Sequence, residues 1–425
     1  MSKAGIVQNN SENLTIALPI SSFLPAAGGA EIGLHNIASI LKKKNCRPVV
    51  ITSYTHLRAL RSLGLELPYE VIAYPPKLLT LSQSNNPLGK KLLFAFYHYL
   101  QSRYRFDIWH ATIGYPVGVS VIEFCRKTNV PHLVRCVGED IQIRPELNYG
   151  MRLDPEVDRK IRKWLPKADS LVAITESVVG EYHDIGCSED IITRIPNGID
   201  LPRFLSHVPT ENIRQRLGID GGKFIFLTVG RNHPKKNLSQ MIEAAERLSQ
   251  CSDIDFEVLI VGTDVGKLDE QVQQKNMTGI VRLLEPGVRL TDQRKPQLNF
   301  PSDEILDYYS HANCFVIPSL IETFGIVAAE AMGAGLPVIA ADSPGCRDVV
   351  NGGRDGLLYS GDIDALVDAM QQMLEDNLLL EHYAARARDR VRNFDWNVIV
   401  DRYKDLYTHL INHRQRPAKQ DGLKV

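Results

Sequence analysis

The stretch that decides the fold runs from Ile317 to Gly345, IPSLIETFGIVAAEAMGAGLPVIAADSPG. A short apolar run, a polar loop, an apolar run of helical length and a second short apolar run follow one another, which predicts strand, loop, helix and strand. Pro318 ends the first strand, and Phe324 and Gly325 open a helix that lasts to about Ala334. This order is the repeating unit of a parallel α/β sheet.

The same alternation continues on both sides of this stretch. In the first half the short apolar runs are LTIALPI, RPVVITS, YEVIAY, FDIWHAT, PHLVRC and SLVAIT. The pattern then restarts with KFIFLTVGR, a helix from about Leu238 to Gln250, FEVLIVG, GIVRLLE, CFVIPS and LPVIAAD. We predict an α/β protein with two Rossmann-like, doubly wound parallel sheets in series.

Turn-forming residues between Pro196 and Pro202 separate the two series, so we predict a domain boundary near residue 205. The first domain spans residues 1–205 and the second spans 206–395. A C-terminal helix and basic tail, residues 396–425, are expected to pack back towards the first domain. A chain of 425 residues exceeds the size at which one core usually keeps growing, which also favours two domains. The polar segment from Leu283 to Asp303 predicts a long loop.

Composition argues against several classes of function. The formal net charge is −1, so there is no electrostatic reason to expect a nucleic-acid partner. No run of about 20 apolar residues could span a bilayer, and the polar N-terminus lacks the apolar region of a signal peptide. Seven cysteines without a C-x-x-C pair favour free thiols in a reducing compartment. We therefore expect a cytoplasmic protein, with peripheral membrane contact as an alternative and the oligomeric state open.

Two carboxylates interrupt the apolar stretch: Glu322 precedes the helix and Glu330 lies more than one turn inside it. Either they are solvated acids that stabilise the helix start, or they bind a ligand resting against it. Carboxylates would repel a bare anion, so we expect them to accept hydrogen bonds from hydroxyls of a ligand that also carries phosphate. The phosphate is favoured by free backbone N–H groups at Thr323, Phe324, Gly325 and Ile326.

Two cations, Arg231 and Lys236, lie in the loop between the strand KFIFLTVGR and the helix that begins near Leu238. Such residues are commonly part of a solvated basic loop. Here the loop follows a strand at the carboxyl edge of the sheet, where open α/β sheets bind ligands. At this position the two cations would suit a diphosphate leaving group.

Four motifs together resemble glycosyltransferase family four, retaining enzymes with the GT-B fold. They are GGAE near the N-terminus, PNGID, VGR-x4-K-N, and PS-x2-E-T-F-G-x4-E-A-M-x2-G-x-P-V-I-A. They occur in the family's order and cover most of the chain. The resemblance implies a nucleotide-sugar donor held by the second domain and a glycan or lipid-linked acceptor that enters from the first. It implies no metal ion or other cofactor, and it leaves UDP, GDP and ADP open as the nucleotide.

The resemblance also implies roles for individual residues. Residues matching Arg231 and Lys236 clamp the diphosphate, the one matching Glu322 lies by the donor sugar, and the one matching Glu330 bonds the ribose. Arg231, Lys236 and Glu322 are therefore the predicted catalytic residues. The predicted ligand-binding set is Gly28, Gly29, Arg231, Lys236, Glu322, Thr323, Phe324, Gly325, Ile326, Val327 and Glu330.

Backbone groups complete this picture. The segment from Thr323 to Val327 is expected to meet sugar and phosphate, and the loop with Gly28 and Gly29 is expected to approach the diphosphate from the first domain. The family retains anomeric configuration, usually described as same-face substitution in which the departing phosphate oxygen takes the acceptor's proton. Such a reaction needs positioning and charge stabilisation more than a base and a nucleophile.

One stretch departs from the family pattern. Many members carry His-Gly-x-Asp in the first domain, with the histidine close to the donor sugar, whereas RCVGEDIQ has Val137 before Gly138. Glu139, Asp140 and His110 are candidates for a replacement polar contact, and the sequence does not select one. Two other functions therefore stay open: an epimerase or phosphorylase on the same fold, and a non-catalytic nucleotide-sugar binder.

Three further patterns have ordinary structural interpretations. DID at Asp253–Asp255 and at Asp362–Asp364 resembles a D-x-D metal clamp, but the first flanks a strand and the second begins a helix. GAG at Gly333–Gly335 follows a helix, so we interpret it as a helix stop. The basic, aromatic segment Lys90–Arg105 predicts a helix that packs on the first sheet, with contact to anionic lipid as the alternative.

Overall fold

The computed structural model describes residues 13–26, 28–83, 86–286 and 298–415. Within these ranges the strands form two separate parallel sheets, one of seven strands and one of six. The polar N-terminus, the centre of the predicted long loop (287–297) and the predicted basic tail (416–425) lie outside the described residues. The prediction of two parallel α/β sheets in series is confirmed.

The first sheet has the strand order β3-β2-β1-β4-β5-β6-β7. Its strands are β1 (Thr15–Pro19), β2 (Arg47–Thr52), β3 (Glu70–Ala73), β4 (Ile108–Thr112), β5 (His132–Arg135), β6 (Ser170–Ala173) and β7 (Ile192–Arg194). The helices up to the boundary are α1 (Gly29–Lys43), α2 (Tyr54–Ser62), α3 (Leu78–Gln83), α4 (Pro87–Tyr104), α5 (Val119–Thr128), α6 (Pro155–Trp164), α7 (Glu176–Asp184) and α8 (Leu201–Ser206). Helix α9 (Ile213–Leu217) follows the boundary and belongs to the second half.

The second sheet has the order β10-β9-β8-β11-β12-β13. Its strands are β8 (Phe224–Val229), β9 (Phe256–Val261), β10 (Val281–Leu284), β11 (Cys314–Ile317), β12 (Val338–Ala341) and β13 (Leu357–Tyr359). The helices of this half are α10 (Leu238–Cys251), α11 (Asp269–Gln274), α12 (Asp303–His311), α13 (Ile326–Gly333), α14 (Cys346–Val349), α15 (Ile363–Glu375), α16 (Asn377–Arg390) and α17 (Trp396–Gln415).

Both faces of each sheet are covered, which explains why most residues of the strands are apolar. In β2, Val49 and Ile51 pack into one hydrophobic cluster and Val50 packs into the other, as the twofold alternation of a strand requires. The shortest strands, β7 and β13, were not among the predicted elements. Each has three residues at or near a sheet edge, too few to produce a periodic signal.

The chain passes between the two halves twice, and the two crossings are hydrogen-bonded to each other. The N–H of Ile199 donates to the carbonyl oxygen of Phe394 at 2.7 Å, and the N–H of Trp396 donates to that of Ile199 at 3.1 Å. A Cβ at Gly198 would lie 2.6 Å from the Trp396 ring, so only glycine fits there. Helix α17 then packs against α1 in the core of the first sheet. We propose the domain boundary near residue 205, between these two sheets.

None of the helices in the described ranges combines the length and the apolar character needed to cross a membrane. The loop between β10 and α12 is shorter than predicted, because Leu283 and Leu284 belong to β10 and Asp303 begins α12.

We expect Trp396→Ala to lower the free energy of unfolding by about 3–5 kcal/mol, because the indole is buried where α17 enters the first domain. Val398 lies on the same helix and is 46% exposed, so Val398→Ala should change the free energy of unfolding by less than about 0.5 kcal/mol. Urea denaturation of both variants measures this, and equal losses would contradict the packing of α17 described above.

Candidate active site

The candidate site lies where two neighbouring strands of the second sheet end. Strands β8 and β11 are paired and parallel, so the loops that follow them leave the sheet at the same edge. The backbone N–H of Leu320 donates to the carbonyl oxygen of Lys235 at 2.8 Å and joins the two loops. Lys236 in one loop and Glu322 in the other are thereby brought into contact.

The carboxylate of Glu322 is buried and lies between two cations. Lys236 Nζ lies 2.5 Å from Oε1, Ser319 Oγ donates to the same oxygen at 3.0 Å, and Lys235 Nζ lies 3.9 Å from Oε2. Burial raises the pKa of Glu322, but the positive charges of Lys236 and Lys235 outweigh burial and hold the pKa below its ordinary value. Glu322 is therefore ionised at neutral pH. Its direct pairing with Lys236 is not among the sequence predictions.

Helix α13 begins with unpaired backbone donors. It starts at Ile326, one residue later than predicted, because its N-cap Gly325 has φ +81°, a left-handed conformation that favours glycine. No side chain caps the helix, and the N–H groups of residues 323–327 donate no hydrogen bond to any other residue that the structure describes. These donors and the positive end of the helix dipole together suit an anion.

Glu330 lies one turn inside α13, is half-buried and differs from Glu322 in its electrostatics. Burial raises the pKa of Glu330 to about 7, although the hydroxyl of Tyr309, which donates to Oε2 at 3.0 Å, and the charges of Arg203 and Lys236 act in the opposite direction. Lys236 thus lies within electrostatic range of both glutamates. Near neutral pH Glu330 exists in both protonation states, which is typical of functional sites.

Arg231 is exposed and forms no hydrogen bond or ion pair with another residue in the described part of the chain. Its backbone is nevertheless held in place. The N–H of Asn232 donates to the carbonyl oxygen of Thr263 at 2.9 Å, and a Cβ at Gly262 would lie 1.9 Å from the carbonyl oxygen of Gly230. Arg231 is therefore a cation on a fixed loop that is available to a ligand.

Side chains from the first half of the chain reach the same loops. Gln142 and Thr175 bond to the segment Glu322–Thr323, and Tyr149 lies with its ring centroid 4.7 Å from Lys235 Nζ. The sequence does not predict any of these residues, nor Lys235, as part of the site. The sequence contains a signal for Gln142, because this residue ends the stretch RCVGEDIQ in which the family histidine is missing.

The structure separates the three candidates for replacing that histidine. Asp140 Oδ1 accepts hydrogen bonds from the N–H groups of Val137 and Gly138, so this carboxylate supports the loop. His110 is fully buried, where its Nδ1 lies 2.7 Å from the hydroxyl of Tyr407. Glu139 is exposed and acts electrostatically on Lys235. Of the three, Glu139 is therefore the one that faces the cations of the site.

Gly28 and Gly29 are exposed at the start of α1. Among the described residues, a Cβ at Gly28 would meet Glu31 alone, and one at Gly29 would meet no atom within 4 Å. Nothing in the described part of the chain brings either glycine into contact with Lys236 or Glu322, so the predicted approach of this loop to a diphosphate stays a prediction.

The two DID segments have the structural roles that the sequence predicts. Asp255 immediately precedes β9, and Asp362 caps α15 by accepting from the N–H of Ala365 at 2.9 Å. Across the described residues, no three His, Cys, Asp or Glu side chains form a group that could hold a metal ion. Metal independence itself stays a prediction.

The raised pKa of Glu330 predicts a pH effect on stability. A carboxyl with a higher pKa in the folded than in the unfolded protein stabilises the fold at low pH, and this contribution disappears as the pH rises. For Glu330 the loss should span about pH 4.5 to about pH 7. We expect the free energy of unfolding of the wild-type protein, relative to Glu330→Gln, to fall over this range in urea denaturation. Parallel pH profiles would contradict the assignment, and Glu243→Gln on the surface of α10 is the control.

Two family models match consecutive parts of the chain. The model Glycosyltransferase Family 4 matches residues 27–203, and the model Glycosyl transferases group 1 matches residues 209–390. Together the two matches cover most of the chain and divide it between the two sheets.

Similar proteins agree with these matches. D-inositol 3-phosphate glycosyltransferase 1 of Catenulispora acidiphila is 28% identical over 266 residues, which cover 61% of this chain and 59% of that protein. Phosphatidyl-myo-inositol mannosyltransferase of Mycobacterium leprae is 28% identical over 249 residues, which cover 58% and 61%. The chain thus matches about three fifths of the length of these relatives.

A solved structure has the same fold. Anabaena HepE in complex with UDP aligns with a TM-score of 0.71 and 20% identity, over 93% of this chain and 100% of that one. The chain belongs to glycosyltransferase family four, the glycosyl transferases group 1, and has the GT-B fold that its motifs predict.

Proposed function

We propose that the chain transfers a sugar from a nucleotide-sugar donor to a hydroxyl of a glycan or lipid-linked acceptor, with retention and without a bound metal ion. The observation that carries this proposal is the meeting of the loops after β8 and β11 at the uncapped start of α13. At the start of α13, one ligand could contact cations, free N–H groups and two carboxylates. A diphosphate attached to sugars needs this combination of partners.

The diphosphate is the leaving group in this proposal. Arg231 and the N–H groups of residues 323–327 bind it, and Lys236, held by Glu322, adds a fixed positive charge. The bond between the sugar's anomeric carbon and the diphosphate oxygen breaks while the acceptor oxygen bonds to that carbon on the same face. The acceptor's proton passes to the departing phosphate oxygen. Catalysis then consists of positioning and of stabilising the charge that grows on the diphosphate.

The two glutamates act on different parts of the donor. Oε1 of Glu322 is occupied by Lys236 and Ser319, whereas the one partner of Oε2 among the described residues is Lys235 at 3.9 Å. We assign Oε2 to a hydroxyl of the donor sugar and the carboxylate of Glu330 to the ribose. Glu139 is assigned the polar contact that the missing histidine makes in other members of the family.

The identity of the nucleotide is measured by a binding screen. Anabaena HepE, a solved structure of the same fold in complex with UDP, makes a uridine nucleotide the first to test. The reducing cytosol is part of the proposal as well, because all seven cysteines are free thiols and six of them are buried.

Three other functions make different predictions. An epimerase would convert the donor without an acceptor, and a phosphorylase would need free phosphate. A non-catalytic binder would hold the nucleotide and release no product. Analysis of products from a labelled donor, with and without acceptor, separates all three from a transferase.

We expect a thermal-shift screen of UDP-, GDP- and ADP-sugars to identify one stabilising nucleotide, since a ligand at 100 times its dissociation constant stabilises by about 2.7 kcal/mol. For that nucleotide, Arg231→Ala should weaken binding roughly 10- to 100-fold, the effect of losing one charge-assisted hydrogen bond. The melting temperature of the free protein should not change, because Arg231 has no partner in the described part of the chain.

The matched control is Arg159→Ala, since Arg159 on α6 has a side chain that is 72% exposed and lies far from the loop in sequence. Unchanged affinity in the Arg231 variant would remove this residue from the diphosphate site. If a nucleotide binds but no donor is turned over with any acceptor tried, the chain is a non-catalytic nucleotide-sugar binder and the proposed transferase function is wrong.

We also propose that α4 contacts an anionic lipid surface, as would suit a lipid-linked acceptor. One face of α4 packs into the core of the first domain, through Leu93, Tyr97 and Leu100. The remaining surface is exposed and mixes apolar with basic side chains, namely Leu88, Lys90, Lys91, Leu92, Tyr99 and Arg103. Such a face can bind by apolar insertion and by charge attraction.

We expect flotation with vesicles that contain anionic lipid at low salt and weaker flotation at high salt, because salt screens surface charge. Lys91→Glu combined with Arg103→Glu should abolish it. The same charge reversal at Lys42 and Lys43, which are exposed on α1, is the control. Flotation that is absent at low salt, or equal in both double variants, would end this proposal.

A further inference from the structure

Gln142 is a fully buried side chain that joins the two halves of the chain at the candidate site. Its Nε2 donates to the carbonyl oxygen of Glu322 at 2.8 Å, and its Oε1 accepts from the hydroxyl of Thr323 at 2.8 Å. One amide thus uses a donor and an acceptor on two consecutive residues of the loop after β11. An amide is the neutral side-chain group that offers both functions at this spacing.

A second residue of the first half holds the next carbonyl group. Thr175 precedes α7, and its hydroxyl donates to the carbonyl oxygen of Thr323 at 2.9 Å. The carbonyl groups of Glu322 and Thr323 are therefore both bound by first-domain side chains. All these contacts are buried, so water cannot replace them without opening the interface.

The second half of the chain leaves this segment little freedom to move. The N–H of Glu322 donates to the carbonyl oxygen of Pro344 at 2.9 Å. A Cβ at Gly345 would lie 2.2 Å from the carbonyl oxygen of Glu322, so the glycine backbone packs directly against that oxygen. The carbonyl group of Glu322 is thus enclosed between Gln142 on one side and Gly345 on the other.

Fixing these carbonyl groups fixes the neighbouring donors. A peptide unit is planar, so the orientation of the Glu322 carbonyl sets that of the N–H of Thr323, and the Thr323 carbonyl sets that of Phe324. These are the first of the free N–H groups at the start of α13. The same segment carries the carboxylate of Glu322.

We propose that Gln142 is a positioning residue that couples the docking of the first domain to the geometry of the Glu322–Thr323 segment. This inference rests on the proposed function of that segment as the donor-binding loop. Docking of the first domain, through Gln142 and Thr175, aligns the N–H donors and Glu322 for the transfer step. Nucleotide affinity depends on Gln142 much less than turnover does, because Arg231 and the N–H groups of residues 325–327 lie outside the two peptide units that the first domain binds.

The test uses Gln142→Met, which keeps the length of the side chain and removes both hydrogen bonds. We expect kcat with the donor found in the screen to fall at least tenfold, while the dissociation constant of its free nucleoside diphosphate stays within threefold. Without added nucleotide, amide hydrogen exchange at Glu322 and Ala328, whose N–H groups donate to the carbonyl oxygens of Pro344 and Gly325, should become at least fivefold faster. Thr175→Val should change kcat in the same direction, and Thr175→Ser, which keeps the hydroxyl, should restore it.

The matched control is Gln240→Met. Gln240 also donates to a backbone carbonyl oxygen, that of Gly361 at 2.8 Å, but within the second domain. Gln240→Met should leave amide exchange at Glu322 and Ala328 unchanged.

Turnover within threefold of wild type in both Gln142→Met and Thr175→Val would overturn the inference, as would unchanged amide exchange at Glu322 and Ala328. An equal loss of nucleotide affinity and turnover would also overturn it. If the wild-type protein transfers no sugar, the proposed function fails, and the exchange comparison still decides the coupling. Should Gln142→Met fail to fold, the Thr175 pair provides the same comparison.

Discussion

The buried charge of Glu322 is the constraint on which the candidate site depends. A carboxylate in a residue that is only 7% exposed has to be neutralised, and Lys236, supported by Lys235, does this from a different loop. The requirement holds the loop after β11 against the loop after β8 and so determines where α13 begins relative to Arg231. Because Lys236 also acts on Glu330, charges that are far apart in the sequence form one electrostatic unit.

The second constraint is the way in which the two halves of the chain are joined. The crossings at Ile199 and at residues 394–396 are hydrogen-bonded to each other, and α17 then packs on α1. This arrangement places the carboxyl edges of both sheets opposite one another. Gln142 and Thr175 can therefore reach the loop that carries Glu322. A ligand held by the second domain would meet groups from the first only when these contacts form.

Much of the fold and part of the site can be predicted from local patterns. Apolar runs with turn residues between them predict most of the strands, because a buried strand in a parallel sheet is apolar along its whole length. The edge strands β7 and β13 are not predicted by this pattern because each has only three residues. The contacts of Gln142 and Thr175 are not predicted either. Their partners lie 180 and 148 positions away in the sequence, and no local pattern indicates such a pairing.

By itself, the sequence determined the two-sheet architecture, the family and four charged residues at the carboxyl edge of the second sheet: Arg231, Lys236, Glu322 and Glu330. Only the tertiary structure decided how those residues differ. Glu322 and Glu330 lie eight positions apart in one segment, yet the pKa of the first is lowered and that of the second is raised to about 7. The physical reason is that a pKa depends on burial and on neighbouring charges. Those neighbours come from loops, helices and a second domain that meet only when the chain is folded.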